Sequence, residues 1–303
     1  MPQGLRRRLR RLLYHLFAKQ FVAGETFDEA LPKIQALRKL GMDVTVDILG
    51  ESVTTPTQIK ANTDAYRQLI ANLAEQNIPI NISVKLSAIG LNANDPADTL
   101  PDAFGPLEGI LLAAQQHMRS FVRVDMEQYR LKDPTLQLVR IKHWRHPRRI
   151  GPVLQAALFD TRITDLPRAV AAGLRIRLCK GSYAETATVA HQNPRAIRSA
   201  YMLCAEHMLQ NGADFPAFAT HDGVLIDHIK RFAKTEGIAQ NAFEFQMLYG
   251  VRTKLQQQLV DEGYNVRIYV PYGQDWWKYF RRRLKEGKRR QILLLLLRSA
   301  LHI

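Results

Sequence analysis

Only two cysteines occur in the 303 residues, Cys179 and Cys204. They form no CxxC pair and no metal-ligand spacing, which argues against a disulfide scaffold and a metal site and points to a reducing, cytoplasmic setting. Long apolar runs are also missing. The longest, 292–297, falls far short of the roughly 20 residues that span a bilayer, so no transmembrane helix is expected. The N-terminus is basic but no apolar core or small-residue cleavage site follows, so no secretory signal is expected. No GxGxxG follows an apolar run, which speaks against a dinucleotide fingerprint. Linkers and low-complexity segments are absent too, so one folded body is expected over 25–303, preceded by a basic helical extension over 1–24.

Acidic residues are scarce relative to basic ones, 28 against 43, for a net charge of +15. The excess is clustered. Arg6, Arg7, Arg8, Arg10, Arg11 and Lys19 precede the first acid, Glu25; a second group is Arg140, Lys142, Arg145, Arg148 and Arg149; a third runs over 278–290. Nucleic acid, an anionic membrane, acidic substrates or a basic surface without a specific partner would all fit such a balance. There is no recognisable nucleic-acid recognition module and no aromatic-basic stripe, so no specific nucleic-acid partner is expected. Leu9, Leu12, Leu13, Leu16 and Phe17 can share one helix face beside the arginines. That face suits peripheral membrane contact or packing on the fold, and both remain open.

Short β-type runs recur at 44–48 (VTVDI), 80–86 (INISVKL), 121–126 (FVRVDM), 150–155 (IGPVLQ), 174–180 (LRIRLCK), 216–220 (PAFAT), 243–248 (FEFQML) and 266–271 (VRIYVP). Amphipathic helical stretches lie between them at 27–40, 57–76, 195–210 and 224–235, the first opened by the capping-box spacing of Thr26 and Glu29. Gly41, Gly173, Gly212, Gly237 and Gly263 fit helix C-caps that feed the next strand. Eight strand-helix units predict an α/β fold, a (β/α)8 TIM-type barrel with a C-terminal helix over the active site; an open doubly wound sheet is the alternative.

In such a barrel the reactive groups gather at the C-terminal ends of the strands. Polar residues do recur there: Asp47 and Glu51, Lys85, Asp125, Gln155, then Arg177, Lys180 and Tyr183, then Thr220, His221 and Asp222, then Glu244, Gln246 and Tyr249, and finally Tyr269 and Tyr272. Polar groups are costly to bury unless paired, so their repetition at one end points to a polar site. Beyond the last strand, Tyr279, Arg282, Arg283 and Glu286 are spaced by threes and fours. Two neighbouring guanidiniums offer forked donors suited to a carboxylate, although a solvated basic helix face has the same spacing.

The motifs, in order, are FVAGET at 21–26, DILGE at 47–51, SVKLSAIG at 83–90, VRVDME at 122–127, VLQ at 153–155, RLCKGSY at 177–183, FATHD at 218–222, FEFQMLYGV at 243–251, RIYVPYG at 267–273 and RRR at 281–283. With these motifs the chain resembles the proline dehydrogenase family, closest to its short single-function bacterial members, over about 21–298. The resemblance implies a barrel that holds FAD non-covalently and oxidises L-proline to Δ1-pyrroline-5-carboxylate by hydride transfer to the flavin, the first step of proline catabolism, with a quinone as electron acceptor. It implies that Lys85, Arg282 and Arg283 hold the substrate carboxylate, that Tyr183, Leu248 and Tyr269 wall the proline ring, and that Asp125 orients one of the two late arginines. It implies that Arg177 contacts the flavin, and that Met126, Gln155, Lys180, Gly181, Ser182, Thr220 and His221 hold the rest of the cofactor. Asp125 and Arg177 are the catalytic pair on this reading, and Glu286 belongs to the cofactor-side set, pairing within the arginine helix. No metal is implied.

Two places depart from the family pattern. Ala157 stands where a tyrosine is expected and Asp160 where an arginine is expected; the loop KHWRHPRRIGP at 142–152 is unusually basic. A barrel with an impaired cofactor site, acting as a binding or regulatory protein, is therefore an alternative, as is another flavin-dependent barrel oxidoreductase. The intact Lys85, Asp125, Arg177, Tyr269, Arg282 and Arg283 favour the enzyme.

Overall fold

The computed structural model describes residues 19–277 and residue 279. Most of the expected N-terminal extension lies outside the described residues. So does the late basic segment, with Arg282, Arg283 and Glu286.

Eight strands form one closed parallel barrel in chain order. They are β1 (Asp43–Ile48), β2 (Ile80–Val84), β3 (Ser120–Val124), β4 (Ile150–Gln155), β5 (Arg177–Cys179), β6 (Ala217–Ala219), β7 (Glu244–Leu248) and β8 (Asn265–Tyr272). Closure is direct: Asp43 to Ile48 of β1 pair in register with Arg267 to Tyr272 of β8. The helices around it are α1 (Phe27–Lys39), α2 (Pro56–Glu75), α3 (Pro96–Gln115), α4 (Lys132–Arg145), α5 (Leu166–Ala171), α6 (Pro194–Gln210), α7 (Gly223–Thr235) and α8 (Thr253–Asp261). The closed sheet decides for the barrel over the open sheet.

Local chemistry explains where the helices begin. Thr26, Thr55, Asn193 and Asp222 cap α1, α2, α6 and α7 through their side-chain oxygens, each satisfying a backbone N–H that the first turn leaves unpaired. Proline opens α2, α3 and α6, where its missing N–H costs nothing. Gly41 leaves α1 at a φ of +80°, a conformation that a side chain would strain.

The alternation along each strand separates two environments. Val44 and Val46, Ile80, Ile82 and Val84, Val122 and Val124, Phe245 and Met247, and Ile268 and Val270 belong to one continuous apolar core with the helices. Each such side chain is worth roughly 1.5–3 kcal/mol on full burial. Phe243 sits edge-on against Phe218 and Phe245, with ring centroids 5.7 and 5.6 Å apart, and closes this layer. The alternate residues face the lumen, and here they are polar: Thr45 and Ser83 are hydrogen-bonded at 3.3 Å, and Arg177 of β5 reaches Ser83 of β2 at 3.2 Å, a contact that crosses the lumen. Gly151 of β4 leaves room for the inward Arg123; a Cβ there would run into the Arg175 carbonyl.

A smaller apolar cluster of Phe21, Val22, Leu49, Val251, Trp276 and Tyr279 gathers residues just beyond the ends of β1, β7 and β8. It is tied to residues 23–25: the Ala23 amide donates to the Pro271 carbonyl at 2.8 Å, and the Trp276 indole donates to Glu25 at 3.0 Å. Residues 21–25 thus pack with the barrel.

Candidate active site

Five strands deliver charged or phenolic side chains to the same end of the lumen. Lys85, just past β2, donates to Asp47 of β1 at 2.7 Å and lies 3.8 Å from Asp125, just past β3. The Tyr269 hydroxyl, from β8, donates to Asp125 at 2.8 Å and lies 3.4 Å from Lys85. Arg177 of β5 donates to the other Asp125 oxygen at 2.8 Å, and its guanidinium carbon lies 5.4 Å from the Tyr269 ring centroid. Asp125 is therefore the hub of the cluster, gripping Arg177 on one oxygen and Tyr269 on the other. The partner that the structure gives it is Arg177; Arg282 and Arg283 lie outside the described residues.

The electrostatics fix protonation states. Burial works against the Lys85 charge, but Asp47 and Asp125 more than offset this and hold its pKa above the ordinary lysine value. Lys85 is therefore a cation at neutral pH. Burial pushes the Asp47 carboxyl up, against the pull of Lys85. Burial and the neighbouring Asp125 keep the Tyr269 phenol protonated far past its usual range. Asp47 heads no role in the sequence reading, although its strand-end position marked it; only the fold shows that it partners Lys85, 38 residues away.

A second arc of residues follows the ends of β3 to β7. The Gln155 amide donates to the Glu127 carbonyl at 2.8 Å and to that of Met126 at 3.3 Å, binding the end of β4 to that of β3. Lys180 reaches Asp222 at 2.6 Å, joining β5 to β6. Asp222 also accepts from Arg198 at 2.9 Å and caps α7; burial opposes its charge, but Lys180 and Arg198 hold its pKa below the usual carboxylate value. The Thr220 hydroxyl accepts from the Asp222 amide at 3.1 Å. Nε2 of His221 accepts from the Leu248 amide at 2.8 Å, joining β6 to β7 and leaving the proton of a neutral ring on Nδ1. Between them Gly181 turns at a φ of +107°, its missing Cβ position only 3.1 Å from Oε1 of Gln155. Ser182 is exposed and Tyr183 half-buried on the loop that follows. Leu248 is half-buried and packs on the smaller apolar cluster.

The two departures are also placed. The Asp160 charge is matched locally: it accepts from the Tyr129 hydroxyl at 3.0 Å and lies 3.2 Å from Lys132, which also holds Asp165 at 3.1 Å. Ala157 abuts the Gly181 turn, 3.3 Å from the position a Cβ would take there. The basic segment 142–152 is only partly a loop, since its first residues end α4 and its last open β4; Lys142 of α4 and His146 just beyond it both hold Glu108, at 2.6 and 3.1 Å, so part of that charge stitches α4 to α3.

A family model described as proline dehydrogenase matches residues 30–292. Proline dehydrogenase 2 of Bacillus subtilis is 36% identical over 271 residues, 89% of this chain and 86% of its own length. Proline dehydrogenase of Deinococcus radiodurans is 37% identical over 275 residues, 90% of this chain and 86% of its own. Among solved structures, proline utilization A from Bdellovibrio bacteriovorus, inactivated by N-propargylglycine, superimposes with a TM-score of 0.82 at 27% identity, over 92% of this chain and 33% of that one.

Proposed function

Because the chain belongs to the proline dehydrogenase family, we propose that it oxidises L-proline to Δ1-pyrroline-5-carboxylate with bound FAD as the hydride acceptor. The observation that carries this reading is the buried cluster in which Lys85 is held as a cation beside Tyr269 and Asp125 at the mouth of the barrel. A carboxylate clamped by cations in a water-poor site is positioned without covalent chemistry, and positioning is a large part of hydride transfer.

The residues present fit FAD. Gln155, Arg177, Lys180 and His221 supply polar groups along one arc, and Gly181 keeps the floor beside Gln155 clear where a Cβ would intrude. On this reading Met126, Gln155, Arg177, Lys180, Gly181, Ser182, Thr220 and His221, with Glu286 of the late segment, form the cofactor side. FAD bound there supplies the two-electron acceptor for the hydride leaving C5 of proline.

The protein's own part is to bind and orient. Lys85, joined by Arg282 and Arg283, takes the substrate carboxylate, while Tyr183, Leu248 and Tyr269 wall the ring. Asp125 fixes the direction of both Tyr269 and Arg177. As the C5–H bond breaks, the nitrogen lone pair forms the C=N bond and the remaining N–H proton passes to water. Proline entering as the free amine needs no strong protein base, and Arg177 offers the positive charge that favours the reduced side.

Electrons then pass to a quinone, through peripheral contact of an otherwise cytoplasmic protein with the membrane. Among the described residues no helix is long and apolar enough to cross one. The test is an anaerobic absorbance spectrum of the FAD-loaded protein before and after L-proline. Bleaching of the flavin band is expected. A bound flavin that proline leaves oxidised would assign another substrate, and failure to retain any flavin would favour the impaired barrel.

A further inference from the structure

Arg177 does not end at Asp125. Its Nε donates to the side-chain carbonyl of Gln246 on β7. The Gln246 amide nitrogen in turn donates to Glu244, two residues earlier on the same strand. Glu244 is gripped by Arg267 of β8, whose Nε lies 3.0 Å from each carboxylate oxygen. Arg267 is completed by the Val44 carbonyl at 3.0 Å and by Asp43, 3.3 Å away at the other end of the barrel. An unbroken polar line therefore runs through the lumen from Asp43 through Arg267, Glu244, Gln246 and Arg177 to Asp125, and Arg177, Gln246, Glu244 and Asp125 are all largely buried along it.

The amide of Gln246 can point only one way in this line. Flipped, it would set its oxygen against the Glu244 carboxylate and its N–H groups against the Arg177 N–H, breaking two buried hydrogen bonds at once. Glu244 is an anion here: burial opposes its charge, but Arg267 holds its pKa below the usual glutamate value. Asp125 and Ser83 hold Arg177 at its Nη atoms, from β3 and β2, and Gln246 holds it at Nε from β7, so the plane of the guanidinium is fixed from both edges and Gln246 supplies the anchor nearest the stem.

We infer that Gln246 is a positioning residue for the proposed reaction, setting the plane of Arg177 against the flavin through an amide whose orientation Glu244 dictates. The inference rests on the FAD and proline reading above. Gln246 touches neither substrate nor cofactor on this account; it acts through Arg177. Its loss should therefore appear in the reduction step and the flavin potential, and not in the binding of the substrate carboxylate.

Gln246→Glu gives a test with an internal rescue. A protonated glutamic acid has one acceptor and one O–H donor in the places where glutamine has its carbonyl and amide, so it can rebuild the line; the carboxylate cannot, because it faces Glu244. Two adjacent carboxylates share a proton, which raises one of their pKa values strongly. The charged groups facing position 246 are Arg177 from β5 and Glu244 on β7, with Arg267 from β8 and Arg123 from β3 around Glu244.

The measurements use FAD-loaded parent, Gln246→Glu and Gln246→Met, each checked for flavin content. Read across pH are the anaerobic reduction rate by proline, the flavin midpoint potential by reductive titration without proline, and the affinity for tetrahydro-2-furoate, the carboxylate in which oxygen replaces the proline nitrogen. For Gln246→Met we expect reduction slowed on the order of 10–100-fold. Its potential should fall by about 30 mV, a tenfold change for a two-electron couple, and its tetrahydro-2-furoate affinity should stay within about twofold of the parent. Gln246→Glu should match the parent at the acid end and approach Gln246→Met as pH rises. Parent-like potentials in both variants, or an affinity loss as large as the rate loss, would overturn the assignment. If Gln246→Met does not fold, the pH-dependent ratio of Gln246→Glu to parent decides alone: a flat ratio refutes the proposal. A parent enzyme that proline does not reduce would instead refute the underlying reading, and the proline-free potentials would still distinguish the two failures.

Discussion

Replacing Lys85 by methionine would separate what this lysine does for the fold from what it does for substrate. The change keeps the length of the stem and removes the ammonium that lies 2.7 Å from Asp47 and 3.8 Å from Asp125. Asp47 is fully buried, so it would be left as an uncompensated carboxylate. Breaking a buried pair in this way costs about 3–5 kcal/mol. At roughly 2–4 °C per kcal/mol, as in domains of 150–250 residues, Tm should fall on the order of 6–20 °C. Adding Asp47→Asn removes the stranded charge and should recover most of that loss. It should not recover turnover, because a charge-assisted hydrogen bond to the substrate carboxylate is still missing, worth about 1.5–3 kcal/mol, or roughly 10–150-fold in kcat/KM. Calorimetry and steady-state kinetics with L-proline on the parent, the two single variants and the double variant complete the cycle. A double variant that regains activity along with Tm would show that Lys85 merely neutralises Asp47. A Lys85→Met variant as stable as the parent would refute the burial argument itself.

Three further expectations come from the same geometry. Gly181→Ala sets a Cβ 3.1 Å from Oε1 of Gln155 at a φ of +107°; a strain of about 1–3 kcal/mol in the turn should weaken FAD binding roughly 5–150-fold in a fluorescence titration, and unchanged affinity would remove Gly181 from the cofactor side. Asp160→Ala should leave the flavin-to-protein absorbance ratio unchanged and cost at most about 1 kcal/mol, since Asp160 is 42% exposed and spends its charge on Lys132; a colourless variant would show that the Asp160 carboxylate serves the cofactor after all. For Glu244 the folded pKa is depressed, so its stabilisation is full above the ordinary glutamate value and is lost as pH falls through the folded one. The Tm gap between Glu244→Gln and the parent should therefore be widest at neutral pH and narrow as pH drops below 4.5, the ordinary value; a gap independent of pH would contradict the assigned charge.

The barrel was legible in the chain because its signals are local. Apolar residues repeat with period two in each β-run, and glycines stand where α1, α6 and α7 must turn back at positive φ. Thr26 and Glu29 announce α1 on their own. By contrast α3 carries Pro96, Pro101 and Pro106, with Gly105 and Gly109, and reads locally as broken chain; a buried face of Ala103, Leu107, Ile110, Leu111 and Ala114 overrides that reading in the fold. The family resemblance implies roles for Lys85, Asp125, Arg177 and Tyr269, the strand-end rule predicts that they meet at one mouth, and the barrel gathers them there.

The sequence by itself therefore determined the number and order of the strands, the end at which polar groups collect, and the family. Those follow from periodicity, turn chemistry and ordered motifs, all of which act within a few residues. Only the tertiary structure decided who pairs with whom. Asp47 with Lys85, Asp125 with Arg177 and Tyr269, and Gln246 between Arg177 and Glu244 are contacts spanning 2 to 144 residues. They arise from barrel closure, which carries side chains from distant strands into one narrow lumen where water no longer screens them, and there each charge is held by whichever partner the register sets beside it.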